Sequence, residues 1–280
     1  MKLKHKRMIY SILITVFMLI VTLHALFPLI SLLVSSFRPS SELFRQGITF
    51  NIQWDQLSLD NYKYIFTQAD QYWKWYGNSI IVSLLTIILS LFFSSMVGYA
   101  LAVYDFWGKH LLFVIVVFII MIPFEILMLP LYQLMTTFRL IDTYTGIILP
   151  SIISASAVFF FRQYALGLPK ELMDAARIDG ANEYGIFFKI MLPLMTPSLA
   201  AMAILQGLFS WNNFVWPLLV IRSNSMFTLP VGLQTLLTPY ENNYDVLISG
   251  SIMTIVPIVL LYVAFQRYFI AGLTAGGVKG

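Results

Sequence analysis

Apolar residues occur along this chain in runs too long for a water-soluble helix, separated by short polar stretches. Six runs approach the roughly 20 residues that a helix needs to cross a bilayer: residues 9–34, 78–103, 111–135, 146–161, 195–220 and 247–269. The fourth is the shortest. This pattern predicts an all-α, polytopic membrane protein with about six transmembrane helices, organised as one transmembrane domain over residues 1–280.

The interruption between the fourth and fifth runs, Pro169 to Pro193, is polar yet helix-forming. Pro169 suits the first position of a helix and Glu171 favours its positive end, so a helix is predicted from Pro169 to Ile178. On a 3.6-residue period Leu172, Ala175, Ala176 and Asp179 share one side, which is small and smooth. Lys170, Asp174 and Arg177 share the other, at spacings that allow ion pairs. Gly180 stands where a helix ends in a left-handed residue. Asn182 is placed to cap a second helix carrying Phe187, Ile190 and Met191, which Pro193 interrupts. A helix, a glycine turn and another helix outside the membrane offer a docking element for a partner; an amphipathic helix lying on lipid is the alternative.

Composition agrees with a membrane protein: 59% hydrophobic residues, 11% charged and a mean hydropathy of +0.81. Lys and Arg prefer the cytoplasmic side. With the N-terminus inside, 11 of the 17 fall on that side, among them Lys2, Lys4, Lys6, Arg7, Lys170 and Arg177. Arg38, Arg45, Lys63, Lys74, Arg139 and Arg222 fall outside. Both termini are therefore expected in the cytoplasm. This bias accounts for the net charge of +4 and the pI near 9.2 without a nucleic-acid partner. The first run exceeds a signal-peptide core and has no small-x-small cleavage site, so it is read as a retained span.

Chemistry-bearing constellations are missing from the sequence. With no cysteine there is neither a disulfide framework nor a thiolate site. His5, His24 and His110 are not spaced as metal ligands, and His24 in the first span reads as a packed, hydrogen-bonded residue. Gly108-Lys109-His110 lacks the rest of a phosphate loop. No metal, cofactor, ATP binding or enzymatic activity is expected.

The segment Asp174-Ala-Ala-Arg-Ile-Asp-Gly-Ala181 through Leu192-Pro193 resembles the "EAA" cytoplasmic loop of binding-protein-dependent ABC importers. Asp174 stands where that motif usually has Glu. Further stretches are similar to maltose-type carbohydrate permeases: Leu59-Asp-Asn-Tyr62, Asn78-Ser79, Trp211-Asn-Asn-Phe-Val-Trp-Pro-Leu218 and the terminal Gly272–Gly280 segment. The resemblance covers nearly the whole chain. It implies a type I importer permease in a bacterial or archaeal cytoplasmic membrane, one half of a heterodimeric pore. The implied partners are a second permease, two cytoplasmic ATP-binding subunits and an extracytoplasmic sugar-binding protein, with a mono- or oligosaccharide as cargo. Asp174, Ala175, Ala176, Asp179, Gly180, Ala181 and Pro193 are then the ATPase-coupling residues. The face around Ala175 and Ala176 would enter a cleft of the ATPase, and Gly180 would permit the turn.

Two places in the spans are candidates for a substrate pathway. Glu125, between Pro123 and Pro130, is the one acidic residue deep in a predicted span. A carboxylate there is costly enough to need a partner or an aqueous interior. It reads either as pore-lining or as a structural hydrogen bond between helices. Trp211, Asn212 and Asn213 offer a ring and amides suited to a sugar, or alternatively to helix packing. Outside the spans, Trp54, Tyr62, Tyr64 and the Tyr72-Trp-Lys-Trp-Tyr76 cluster read as an external vestibule or, for Tyr72–Tyr76, as an interfacial aromatic belt. The loop of residues 221–246, with Pro230, Pro239 and Tyr240, would fold back towards the pore. A secondary transporter driven by ions is the competing class, although Glu125 stands alone and no internal repeat is evident.

Overall fold

A computed structural model of the chain describes residues 2–40, 57–237 and 243–275. Trp54, Arg45, Pro239, Tyr240, both chain ends and most of the terminal glycine-rich motif lie outside the described residues. Helices follow in the order α1 (Lys2–Ser36), α2 (Asp60–Thr67), α3 (Asp70–Val103), α4 (Lys109–Met121), α5 (Phe124–Thr137), α6 (Tyr144–Ile148) and α7 (Ala155–Ala165). Then come α8 (Glu171–Ile178), α9 (Glu183–Ile186), a π turn (Phe187–Met191), α10 (Leu192–Leu194), α11 (Thr196–Trp211), α12 (Val215–Val220), α13 (Leu229–Thr235) and α14 (Tyr244–Ala275). No β-strand occurs among the described residues.

Three stretches are single helices long and apolar enough to cross a membrane: Lys6–Ser36, Asp70–Val103 and Tyr244–Arg267. Three further candidates are bent pairs, by 104° between α4 and α5, by 42° between Tyr144–Ser151 and α7, and by 75° between Glu183–Leu194 and α11, the last with its first arm in the 169–193 loop ahead of the predicted 195–220 run. The sharpest bend has a local cause. Proline disfavours the α region for the residue before it, and Ile122 is extended at φ −82°, ψ 118°, so α4 stops and α5 restarts after Pro123. Pro28, Pro130 and Pro257 sit inside continuous helices.

The chain divides into two compact units, Met1–Tyr72 with Leu233–Ile255, and Trp73–Gly232 with Val256–Gly280. In the first, the Leu59–Tyr62 motif fastens α2 to the end of α1. Asn61 donates to the carbonyls of Ser36 and Arg38 at 3.1 and 2.9 Å, and the Tyr62 and Ser36 hydroxyls are 2.7 Å apart. Tyr72 is buried and donates to the Gly250 carbonyl at 2.9 Å. His24 lies exposed on α1, so the packed environment expected for it is not supplied by the described residues.

In the second unit, Asn78 donates to the Ser225 and Phe227 carbonyls at 2.8 and 2.9 Å and accepts from the Tyr144 hydroxyl at 2.6 Å. Ser79 accepts from the Leu229 amide at 2.7 Å. Trp75 is buried and donates to Asn224. Tyr72 and Trp75 therefore belong to the interior of their units, which corrects the interfacial-belt reading for both. The rings are buried because each polar tip meets a carbonyl of its own chain. The described part of the 221–246 loop also turns inward, with Leu229 and Val231 buried. Trp216 packs with Ile147, Ile148 and Val220, its ring nitrogen donating to the Gly146 carbonyl at 3.2 Å.

Candidate functional site

The 169–193 loop forms the helix–turn–helix expected of it, with its first boundary shifted. Regular helix starts at Glu171, not Pro169; Lys170 is the N-cap. Gly180 takes φ +78°, the left-handed conformation that closes α8, and the Ala181 amide reaches back to the Ala176 carbonyl at 2.9 Å. Asn182 caps α9 by accepting from the Gly185 amide at 2.7 Å. Pro193 does not end the second helix; α10 runs through Leu194 and the bend follows at Met195.

Charged side chains brace the two arms. Arg177 donates to Asp174 at 2.9 Å and, through two nitrogens at 2.8 and 3.2 Å, to the carboxylate of Glu183. The Glu183 carboxylate also accepts from the Tyr104 hydroxyl at 2.7 Å, which ties the loop to the residue following α3. The bidentate geometry fixes orientation as well as distance. Glu183 first, then Asp174, holds the Arg177 guanidinium more firmly protonated, while burial and the bond to Glu183 push the Tyr104 phenol up. Both remain donors at any physiological pH. Tyr104 lies 79 residues from Glu183 in sequence and has no periodicity that would announce the pairing.

The inner and outer faces of α8 differ from the sequence expectation. Met173 and Ala176 are buried, packed with Ile186, Phe187 and Met191 against Tyr99 and Ala102 of α3 and Phe161 and Ala165 of α7. Ala176 therefore faces the chain's own core and does not share Ala175's exposed side. The i,i+3 pair Met173/Ala176 sets the inward stripe because Met173 carries the larger apolar surface. Pointing outward are Ala175 and Asp179, together with Leu172, Ile178 and Tyr184, which are 42%, 87% and 73% exposed.

The expected pathway residues are dispersed. Glu125 lies in the first turn of α5, exposed, with no hydrogen-bond or ion-pair partner among the described residues. Trp211 is buried at the end of α11, its ring edge-on to Tyr76 with centroids 5.7 Å apart. It lines an apolar cavity of about 350 Å³ with Pro257 and Leu261. Asn212 is exposed and donates to the Leu208 carbonyl at 2.9 Å, completing the helix end; Asn213 is half-buried.

A separate cleft of about 640 Å³ opens where α4 breaks into α5, between α7 and α11. Phe124, Phe159, Phe160 and Phe209 stand in a mainly aliphatic wall, and Ser151, Ser154, Ser156 and Gln206 supply its side-chain polar groups. Gln206 is 6% exposed, and its amide has no hydrogen-bond partner among the described residues. Its amide atoms are not sealed off in the interior but open onto the cleft, where water or a ligand can reach them. Sequence reading passed over Gln206 because it sits inside an otherwise apolar run. Among the described residues no three His, Asp or Glu side chains gather as a metal site would require.

Comparison with known proteins bears on what this arrangement serves. Residues 94–274 match the family model "Binding-protein-dependent transport system inner membrane component". The chain is 67% identical over 272 residues to the arabinooligosaccharides transport system permease protein AraQ of Halalkalibacterium halodurans, covering 97% of this chain and 98% of that protein. It is 56% identical to the AraQ of Bacillus subtilis, over 97% of each. It is 33% identical to the lactose transport system permease protein LacG of Rhizobium radiobacter, over 91% of each. The fold matches a chain of a bacterial ABC transporter involved in import of the acidic polysaccharide alginate, with a TM-score of 0.82, 24% identity and coverage of 93% of this chain and 96% of that one. With this match across more than half of its length and relatives aligned over nearly all of it, the chain belongs to the family of inner-membrane components of binding-protein-dependent transport systems.

Proposed function

We propose that this permease forms one half of the pore of an ABC importer for arabinose-containing oligosaccharides. Its partners are a second permease, two cytoplasmic ATP-binding subunits and an extracytoplasmic sugar-binding protein. The observation that carries the cargo is the 67% identity to an arabinooligosaccharide permease over 97% of the chain. The chain itself catalyses no covalent step; it converts ATPase closure into movement of its helices.

The 169–193 loop is the coupling element. Leu172, Ala175, Ile178 and Asp179 of the α8 segment, with Tyr184 of α9, form the surface offered to the ATPase. An apolar side chain as exposed as Ile178, on a short loop braced by ions, suits insertion into another protein. Asp174 acts through Arg177, and Ala176, Gly180, Ala181 and Pro193 shape the element. Force on α8 passes through Met173 and Ala176 to α3 and α7, through Glu183 to Tyr104, and along α9 and the π turn towards α11. Glu125, Trp211, Asn212 and Asn213 remain the proposed pathway residues, Glu125 on a surface open to the pore or the partner permease. The test is uptake of labelled arabinotriose by the reconstituted complex: uptake that depends on ATP and on the binding protein is expected. Transport of other sugars with exclusion of arabinotriose would refute the cargo assignment.

We also place the protein in the cytoplasmic membrane with both termini inside, on the Lys and Arg distribution. The cysteine-free chain makes this simple to check. In intact cells an impermeant thiol reagent should label Lys63→Cys, whereas Trp107→Cys, at a position 99% exposed, should react only after permeabilisation. The opposite pattern would invert the topology.

A further inference from the structure

We infer that the cleft at the α4–α5 break is a sugar-ring subsite belonging to this subunit, with Gln206 as its specificity-determining hydrogen-bonding residue. The inference rests on the sugar-importer reading and adds to it a location and a contact. A sugar needs apolar surface against its ring faces and donors and acceptors at its edges. The cleft supplies both. Phe124, Phe159 and Phe209 give flat apolar walls, and the Gln206 amide presents two donors and an acceptor from a position 6% exposed.

The Ser154 and Ser156 hydroxyls, 2.9 Å apart, add a second polar point on the facing segment. Ser154 also accepts from the Ala157 amide as the cap of α7, which fixes its oxygen in place. A volume of about 640 Å³ accommodates one or two pentose rings and excludes a long folded oligosaccharide. A cleft meant only for an acyl chain would have no use for an amide that opens onto it without a protein partner, since an apolar occupant would strip that amide of water and give no hydrogen bond in return. The open amide is the group that a passing hydroxyl would satisfy. Because α11 also continues from the coupling loop through the bend at Met195, movement of that loop would open or close this contact.

The experiment uses the complete reconstituted importer and arabinotriose. Gln206→Met keeps the volume and removes the hydrogen bonds. It should raise the KM for arabinotriose about tenfold and narrow the preference over a trisaccharide of glucose, a change in selectivity that a merely structural role would not produce. Should that variant fail to assemble, Ser156→Cys carries the test: arabinotriose delivered by the binding protein should slow maleimide labelling of this thiol at least about fivefold. If the parental complex transports no arabinotriose, the cargo assignment fails on its own account. A parental KM and selectivity in Gln206→Met, or unprotected labelling of Ser156→Cys in a transporting complex, would overturn the subsite.

Discussion

Ile178→Asp is expected to strip the ATPase subunits from the importer and abolish sugar-stimulated ATP hydrolysis, while the permease is made and inserted at its normal level. Ile178 is 87% exposed and contributes little to its own chain's core. If the ATPase buries it, the contact contributes about 1.5–3 kcal/mol. Aspartate loses that and adds the desolvation of a carboxylate, so binding should weaken by at least about a hundredfold. Co-purification of the ATPase and stimulated ATPase activity measure the effect. Full retention of both would remove Ile178 from the docking surface.

Gly180 offers a companion test by another route. A Cβ at this position would meet nothing within 4 Å, so the only obstacle is the φ of +78°. Valine should impair coupling because a β-branched residue is a poor occupant of the left-handed region. Asparagine tolerates that region and should preserve function. This pair separates backbone strain from crowding. Equal loss in both would point to contact with the ATPase as the reason for glycine.

How far the sequence could be read depended on whether a feature was local. The spans of α1, α3 and α14 are continuous apolar runs, and hydropathy locates them. Pro123 marked a disturbance, but a proline only disfavours helix at the residue before it, and Pro130 and Pro257 sit inside continuous helices; the 104° turn comes from where α5 finds its packing, with Met135 buried in the same cluster as Trp216. The Gly180 turn and the Asn182 cap were legible because each is a property of a few adjacent residues. The inward face of α8 was not, since small residues sit on both sides and tertiary contacts with Phe161 and Tyr99 decide between Ala175 and Ala176. Tyr72 and Trp75 look like membrane-surface aromatics until their partners, Gly250 and Asn224, are seen. Gln206 was invisible for the opposite reason, because one amide barely perturbs the hydropathy of its helix.

Gly98→Val should be among the most damaging single substitutions in the chain, lowering both the amount of folded permease and its transport. The Cβ of any residue at this position would stand 2.8 Å from Phe161 Cβ, 2.8 Å from the Val158 carbonyl oxygen and 2.9 Å from the Arg162 amide nitrogen. Two of the three are backbone atoms of α7, so no side-chain rotation relieves the contact; α3 and α7 must move apart. Valine adds two further methyl groups against Phe161, which is fully buried. Overpacking of a close contact costs about 1–3 kcal/mol, and separating the helices adds cavity loss around Phe161 and Ala157. The same cluster holds Met173 and Ala176, so the platform beneath the coupling loop shifts with it. The variant should lose thermal stability in detergent, and the surviving fraction should show weakened ATPase stimulation. Gly77→Val makes the control, because a Cβ there meets nothing within 4 Å although the residue is also helical. Parental stability in Gly98→Val, or an equal loss in Gly77→Val, would show that close approach of α3 to α7 is not what requires glycine at residue 98.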